Sequence, residues 1–313
     1  MHDHAMTRVN IPRRLAIWRE TPYLHGHLSP GEPMTTRAGF VALIGEPNAG
    51  KSTLTNRMVG AKVSIVTHKV QTTRTRIRGV AIEGEAQIVF VDTPGIHKPR
   101  TALGTRLNAT AAEAADQVDV VCFVLDATAP YGRGDRFIAE SLPSDAVVVV
   151  TKADRATREQ VLAQLAATGE LEADAWVPVS GVTGEGVDAL VEHLVARLPE
   201  GPRFYPDDMV TDVPDAFWVA ELVREQLLAV TREELPHSIA TRVTEWEWPR
   251  IRCEIVVERE SQKGIVIGKG GENLKRVGTA VREQLPEGAF LELFVKVEKN
   301  WQHQAHMVER LGY

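Results

Sequence analysis

Gly45-Glu46-Pro47-Asn48-Ala49-Gly50-Lys51-Ser52 fits the phosphate-binding loop pattern GxxxxGK[ST] and directly follows the apolar, strand-like stretch Phe40 to Ile44. The context matters as much as the pattern. A strand delivers the chain to the mouth of a sheet, glycines let backbone N–H groups curl around phosphate oxygens, and a helix then begins with its positive end facing them. Thr53, Leu54, Asn56 and Met58 continue as that helix. In such a loop Lys51 reaches the β- and γ-phosphates and the Ser52 hydroxyl takes one position on Mg²⁺.

Further strands end in chemistry of the matching kind. Gln87 to Val91 runs into Asp92-Thr93-Pro94-Gly95, which sets a carboxylate for Mg²⁺ at a strand's carboxyl end and a glycine N–H where a γ-phosphate would lie. Ala146 to Val150 ends in Thr151-Lys152-Ala153-Asp154, and Ala175 to Val179 ends in Ser180-Gly181. A carboxylate at Asp154 accepts from both N1–H and N2–H₂ of guanine, a donor pair adenine lacks. Lys152 can lie over the base and ribose, and the Gly181 N–H can donate to the base oxygen. Singly, each of these is also an ordinary turn or capped loop; their order after successive strands makes them one site.

In this order the motifs resemble those of the translation-factor-like GTPases, and more closely the Era family, from Ala38 to Tyr313. The resemblance implies GTP and GDP as substrate and product, with Gly45, Asn48, Ala49, Gly50, Lys51, Ser52 and Thr53 around the phosphates. It implies Ser52, Asp92 and a threonine of Gln71-Thr72-Thr73-Arg74 at the metal, Thr73 before Thr72, and Lys51, Thr73 and Gly95 as the groups that act on the γ-phosphate. Two positions depart from the family: Thr151 where asparagine is usual, and Gly181 where alanine is usual. The first loses an amide that braces the loop and base; the second keeps its backbone N–H. Ile96, after Gly95, cannot orient a water as a glutamine would, so intrinsic turnover should be slow. Asn48 either helps hold a potassium ion against the phosphates, as in potassium-stimulated GTPases, or only braces the loop's turn.

The chain has 313 residues, enough for two domains with sizeable cores, a net charge of −6 and two cysteines. The acidic balance argues against indiscriminate nucleic-acid binding, so any RNA contact must come from a local patch. Cys122 and Cys253 both fall in apolar strands and read as buried thiols of a reducing compartment. No run of ~18 apolar residues exists to span a membrane.

Residues 1–36 hold scattered histidines and prolines without helical period and read as a disordered extension, with Met34 an alternative start. Strands alternating with helical stretches over 37–202 predict a doubly wound α/β domain with a mostly parallel sheet. Leu198-Pro199-Glu200-Gly201-Pro202 reads as a linker to a second domain, 203–313.

In that second domain an αββααβ order surrounds Gly268-Lys269-Gly270-Gly271 and resembles a type II KH domain, an α+β fold. Two helices meet there at a turn tight enough for an RNA backbone, with Lys269 in the loop, Lys275 and Arg276 after it and Lys263 before it. From the residues alone the binding of single-stranded RNA follows. The family resemblance adds the target: the 3′ region of 16S ribosomal RNA, in processing and assembly of the small (30S) subunit. It also implies a cytoplasmic protein, with peripheral contact at the inner face of the cell membrane in some members, although no strongly basic amphipathic helix stands out here. Three rivals fit less well. A switch carrying a protein-binding module needs no intact clamp loop, a double-GTPase needs a second phosphate loop, and a tRNA-modifying GTPase needs catalytic cysteine chemistry.

Overall fold

The computed structural model describes residues 36–69, 71–231 and 238–313. Residues 1–35 of the expected N-terminal extension, with its histidines and Met34, lie outside them; Thr36 lies within them and hydrogen-bonds to Gly201.

The first domain is a six-stranded sheet in the order β2-β3-β1-β4-β5-β6. Its strands are β1 (Ala38–Ile44), β2 (Ile77–Glu83), β3 (Ala86–Asp92), β4 (Val120–Asp126), β5 (Val147–Thr151) and β6 (Ala175–Pro178). All pairings are parallel except the β2–β3 hairpin. After β1 the chain builds β3 on one side and β4 on the other, so the loop following β1 opens at the topological switch point, where α/β sheets bind ligands.

Side-chain alternation along β1 explains the two layers. Val41 and Leu43 pack under α1 (Lys51–Val59) and α5 (Val187–Arg197), with Leu54, Met58, Leu190 and Leu194. Ala42 and Ile44 face the opposite cluster, which takes in Ala114 of α2 (Ala102–Ala115), Ile138 of α3 (Arg133–Ala139) and Val161 and Leu165 of α4 (Arg158–Thr168). Cys122 is buried on the first face, and burial pushes its thiol up to about 12, so it is unreactive.

The second domain stacks α6 (Asp215–Val230), α7 (Glu260–Ile267) and α8 (Glu272–Arg282) on one face of the three-stranded sheet β7 (Ala240–Glu247), β8 (Arg250–Val257) and β9 (Phe290–Val297). Ile251, Cys253, Ile255 and Val257 of β8 alternate into that core. β7 pairs antiparallel and β9 parallel to β8, which leaves β9 as an edge beside the helices.

The segment read as a linker is no loose tether. The Pro199 carbonyl accepts from Ala38 N–H, Gln87 hydrogen-bonds through its side chain to the backbone of Phe204 and Tyr205, and Val80 N–H donates to the Val210 carbonyl. The chain therefore stays strapped along the first sheet's edge until Thr211, whose hydroxyl donates to the Arg78 carbonyl. A fourth apolar cluster spans both domains: Leu103 and Leu107 of α2 pack with Ala240, Val256, Trp301 and the C-terminal helix α9 (Ala305–Arg310).

Candidate nucleotide cleft and RNA loop

α1 begins at Gly50 with φ 96° and no side-chain cap. Its first N–H groups therefore have no protein side chain to satisfy them and face the cleft, an arrangement suited to an anion. The cleft encloses about 350 Å³ between the loop after β1, residues 65–68 and 71–73, Gly95 and the base-loop residues Thr151, Lys152, Asp154 and Gly181. The fold thus gathers the separate sequence motifs around one space. Lys51 is buried and donates to the carbonyls of Gly45 at 3.0 Å and Glu46 at 2.8 Å. Burial pushes its ammonium down to about 8, against the opposing pull of Asp92 and Glu46.

The metal-ligand candidates converge. Ser52 Oγ donates to Asp92 Oδ2 at 2.7 Å, and Thr73 Oγ1 lies 3.1 Å from the same oxygen and 2.8 Å from Ser52 Oγ. Thr72 points elsewhere, to Thr67 and the Lys69 carbonyl, so the geometry separates the two threonines. Asp92 is fully buried, burial raises its pKa, and its Oδ1 has no hydrogen-bond partner. A buried, unpartnered carboxylate oxygen among hydroxyls is a hard-oxygen donor set that fits Mg²⁺. Among the described residues no cluster of three metal-ligating His, Cys, Asp or Glu exists.

At the base end, Ser180 Oγ donates to Asp154 Oδ1 at 2.6 Å and accepts from the N–H groups of Val182 and Thr183. This fixes the carboxylate that would read guanine. Lys152 stands at φ 58° and pairs with Asp126 at 2.5 Å; burial of Asp126 is outweighed by hydrogen bonds from Lys152 and Thr128, which hold its carboxyl below the usual range. Thr151 shows what replaces the missing amide. Its hydroxyl lies 2.5 Å from the Ala49 carbonyl and 2.9 Å from the Leu125 carbonyl, so it still ties the base loop to the phosphate loop. Asn48 stands at φ 63° and its amide nitrogen donates to the His68 carbonyl, tying the phosphate loop to the chain just before Gln71.

In the second domain Gly268 ends α7, Lys269–Gly271 form a single 3₁₀ turn and Gly271 caps α8 in the left-handed region, again with no side-chain cap. Lys269, Lys275 and Arg276 are exposed and Lys263 is half-buried on α7. The loop is closed from behind by Asn273, whose amide donates to the Ile265 carbonyl.

Residues 40–152 match the family model described as 50S ribosome-binding GTPase, and residues 234–302 match the KH domain. The chain is 48% identical over 296 residues to GTPase Era of Mycobacterium tuberculosis, covering 88% of this chain and 98% of that protein. It belongs to the Era GTPase family. GTPase Era of Mycobacterium avium is 46% identical over 295 residues, covering 88% and 99%. Among solved structures, Aquifex aeolicus Era bound to GDP.AlF4- aligns with a TM-score of 0.82 at 37% identity, over 88% of this chain and 99% of that one. Era in complex with MgGDPNP and nucleotides 1506-1542 of 16S ribosomal RNA aligns at 0.83 and 38%, over 89% and 99%.

The seam between the two domains of this Era-family chain lies beside the cleft, and sequence reasoning missed it. Arg224 of α6, fully buried and paired with Glu221, donates to the Thr72 carbonyl next to Thr73. Glu225 of α6 accepts from Val66 N–H at 3.0 Å and pairs with Lys62 at 2.6 Å, so one helix of the KH domain holds the chain before Gln71 at Lys62 and Val66 and the Gln71–Arg74 stretch at Thr72. Arg74 is buried too; it donates to the Ile239 carbonyl at 2.7 Å and lies over the rings of Trp301 and Tyr313. The only prior signal was four charged residues, Glu221, Arg224, Glu225 and Arg74, placed within otherwise apolar or switch-like stretches.

Proposed function

We propose that this chain binds and hydrolyses GTP in the cleft, and uses the Gly268–Gly271 loop to bind the 3′ region of 16S ribosomal RNA during maturation of the small (30S) subunit. One observation carries this reading: the chain aligns over nearly all of an Era solved with both a magnesium nucleotide and that RNA, with the uncapped helix start of each binding loop intact.

In this reading Lys51 and the N–H groups at the start of α1 hold the β- and γ-phosphates, and Gly95 presents its N–H to the γ-phosphate. Ser52, Thr73 and Asp92 hold Mg²⁺, which supplies charge neutralisation on the phosphates. Asp154, Ser180, Gly181, Lys152 and Thr151 select guanine. In the same reading the Asn48 amide oxygen meets a potassium ion beside the phosphates; the bland alternative is that Asn48 only braces the loop's turn. Gly268, Lys269, Gly270, Gly271, Lys263, Lys275 and Arg276 face the RNA backbone. Among the described residues no helix is long and apolar enough to cross a membrane. The reading is of a cytoplasmic, ribosome-associated protein, with peripheral membrane contact a property of the family extended to this chain.

Competition binding with a fluorescent GDP, followed by crosslinking to RNA with nucleotide varied and sequencing of the bound fragments, tests it. GTP should displace the probe and ATP should not, and fragments should map to the 3′ end of 16S ribosomal RNA. Equal displacement by ATP, or fragments spread over the whole RNA, would overturn it.

A further inference from the structure

Ile96 is partly buried against the apolar face of the sheet, and its N–H donates to the Gly45 carbonyl at 3.1 Å. An apolar side chain cannot orient a water, so that task falls to another group. Among the described residues a polar pair joins the Gln71–Arg74 stretch to the chain after Gly95: Gln71 Nε2 lies 2.8 Å from His97 Nε2. His97 Nδ1 lies 3.2 Å from the Gly95 carbonyl. A carbonyl only accepts, so this contact assigns the proton to Nδ1, and in that tautomer Nε2 is the acceptor. It requires a donor, which the Gln71 amide nitrogen supplies.

That bond fixes the rotation of the Gln71 amide and leaves Oε1 as its acceptor. Gln71 lines the same cleft as Lys51, Ser52, Thr73 and Gly95. Its backbone stands at φ 60°, a left-handed conformation that a non-glycine residue keeps only where its surroundings impose it. His97 is itself held by Asn108 of α2, which accepts from the His97 N–H at 3.3 Å and donates to its carbonyl at 2.7 Å.

The geometry points to Gln71 as the residue that orients the attacking water in GTP hydrolysis, with His97 as a positioning residue that sets its amide. The inference rests on the GTPase reading above. A lone pair of the water oxygen forms the bond to the γ-phosphorus as the bond from that phosphorus to the β–γ bridging oxygen breaks. The electron pair leaves with GDP, and the water's protons go to the released phosphate. Gln71 Oε1 accepts a hydrogen bond from the water and is unchanged.

The test compares the unaltered protein with Gln71→Met, His97→Ala and the double variant. Three quantities are read with Mg²⁺ present: single-turnover GTP hydrolysis, affinity for GDPNP, and affinity for GDP with fluoroaluminate. Gln71→Met should hydrolyse roughly 10²-fold more slowly, the order found for one hydrogen-bonding group aimed at reacting atoms. Its GDPNP affinity should stay within about twofold while fluoroaluminate-dependent binding falls, the mark of an interaction made in the transition state. His97→Ala should lose less, because Oε1 is still present, and the double variant should match Gln71→Met alone. Gln71→Met turning over at the unaltered rate, or losing both affinities in parallel, would overturn the assignment. Absence of hydrolysis by the unaltered protein would overturn the GTPase reading and this inference together, whereas a failure confined to Gln71→Met leaves the GTPase reading standing.

Discussion

Two loops of this molecule are built to meet phosphate, and they need glycine for different reasons. Around the nucleotide cleft the neighbours of glycine are protein backbone: a Cβ on Gly45 would stand 2.3 Å from the Val124 carbonyl oxygen, and one on Gly95 2.5 Å from the Pro47 nitrogen. In the loop between α7 and α8, Gly270 and Gly271 stand at φ 62° and 81° with nothing within 4 Å of an added Cβ. The first loop is part of a packed core and receives a ligand through an opening in it. The second is packed only at Gly268, where an added Cβ would stand 2.9 Å from the Asn273 nitrogen; beyond it the turn is bare, and its empty side is the proposed binding surface. Disturbing the first should therefore reach the fold, whereas disturbing the second should reach only the ligand.

The largest expected effect follows from that. Gly45→Ala drives a methyl into a backbone carbonyl at the centre of the sheet, where overpacking typically costs about 1–3 kcal/mol and here must shift the loop as well. Nucleotide binding should be lost and the denaturant midpoint of the nucleotide-free protein lowered, read by fluorescent GDP titration and urea unfolding. A Gly45→Ala protein that binds GDP normally would show that the loop is not locked into the core, and the contrast between the loops would collapse.

Next in size is the exposed loop. Replacing Lys269 and Gly270 with Asp puts carboxylates where phosphate would lie and side chains into a left-handed turn open to solvent. Single-stranded RNA binding should disappear while GDP affinity is unchanged. For single strands each neutralised phosphate contributes roughly −0.7 to the slope of log affinity against log salt, so the small patch of Lys269, Lys275 and Arg276 predicts a shallow slope for the unaltered protein. Fluorescence anisotropy of a labelled oligonucleotide across salt measures both. Retained binding in the double variant would move RNA recognition to another surface.

Both loops were legible in the sequence because each is a local pattern: a short apolar strand or helix, a glycine turn, then helical spacing. The β9 strand was equally plain from its alternation over Phe290–Val297. β2 went unread. Ile77–Glu83 is an edge strand interrupted by Arg78 and Gly79, and its antiparallel pairing is fixed by the turn to β3 and by the strap at Val210, not by its own periodicity. The seam between domains was illegible for a stronger reason. Arg224 meets Thr72 and Arg74 meets Ile239 across more than 150 residues of chain, and a local window shows at most that these charges interrupt apolar or polar stretches, not what they pair with. The same holds for Gln71 and His97, 26 residues apart. Sequence motifs named the cleft's walls, but which groups brace them depends on pairings that only the folded sheet creates.

The smallest effect tests how deeply the nucleotide loop is set in the core. Lys51 is buried, and its pKa is lowered from 10.5 to about 8 chiefly by desolvation. Between those values the folded, nucleotide-free protein binds fewer protons than the unfolded chain, so this group makes stability rise with pH across the window from about 8 to 10.5. Phosphate anions favour the ammonium form, so nucleotide binding should take up protons: about half a proton at pH 8 and about a tenth at pH 7, if Lys51 alone contributes. Calorimetric titration with GDP in two buffers of different ionisation enthalpy reads that uptake as a buffer-dependent heat. Lys269, in the other loop, is exposed to solvent. Buffer-independent heats for GDP at pH 8 would mean that Lys51 is already fully charged before the phosphates arrive. The nucleotide loop would then be as open to water as the RNA loop, and the difference between the two would lie in shape alone.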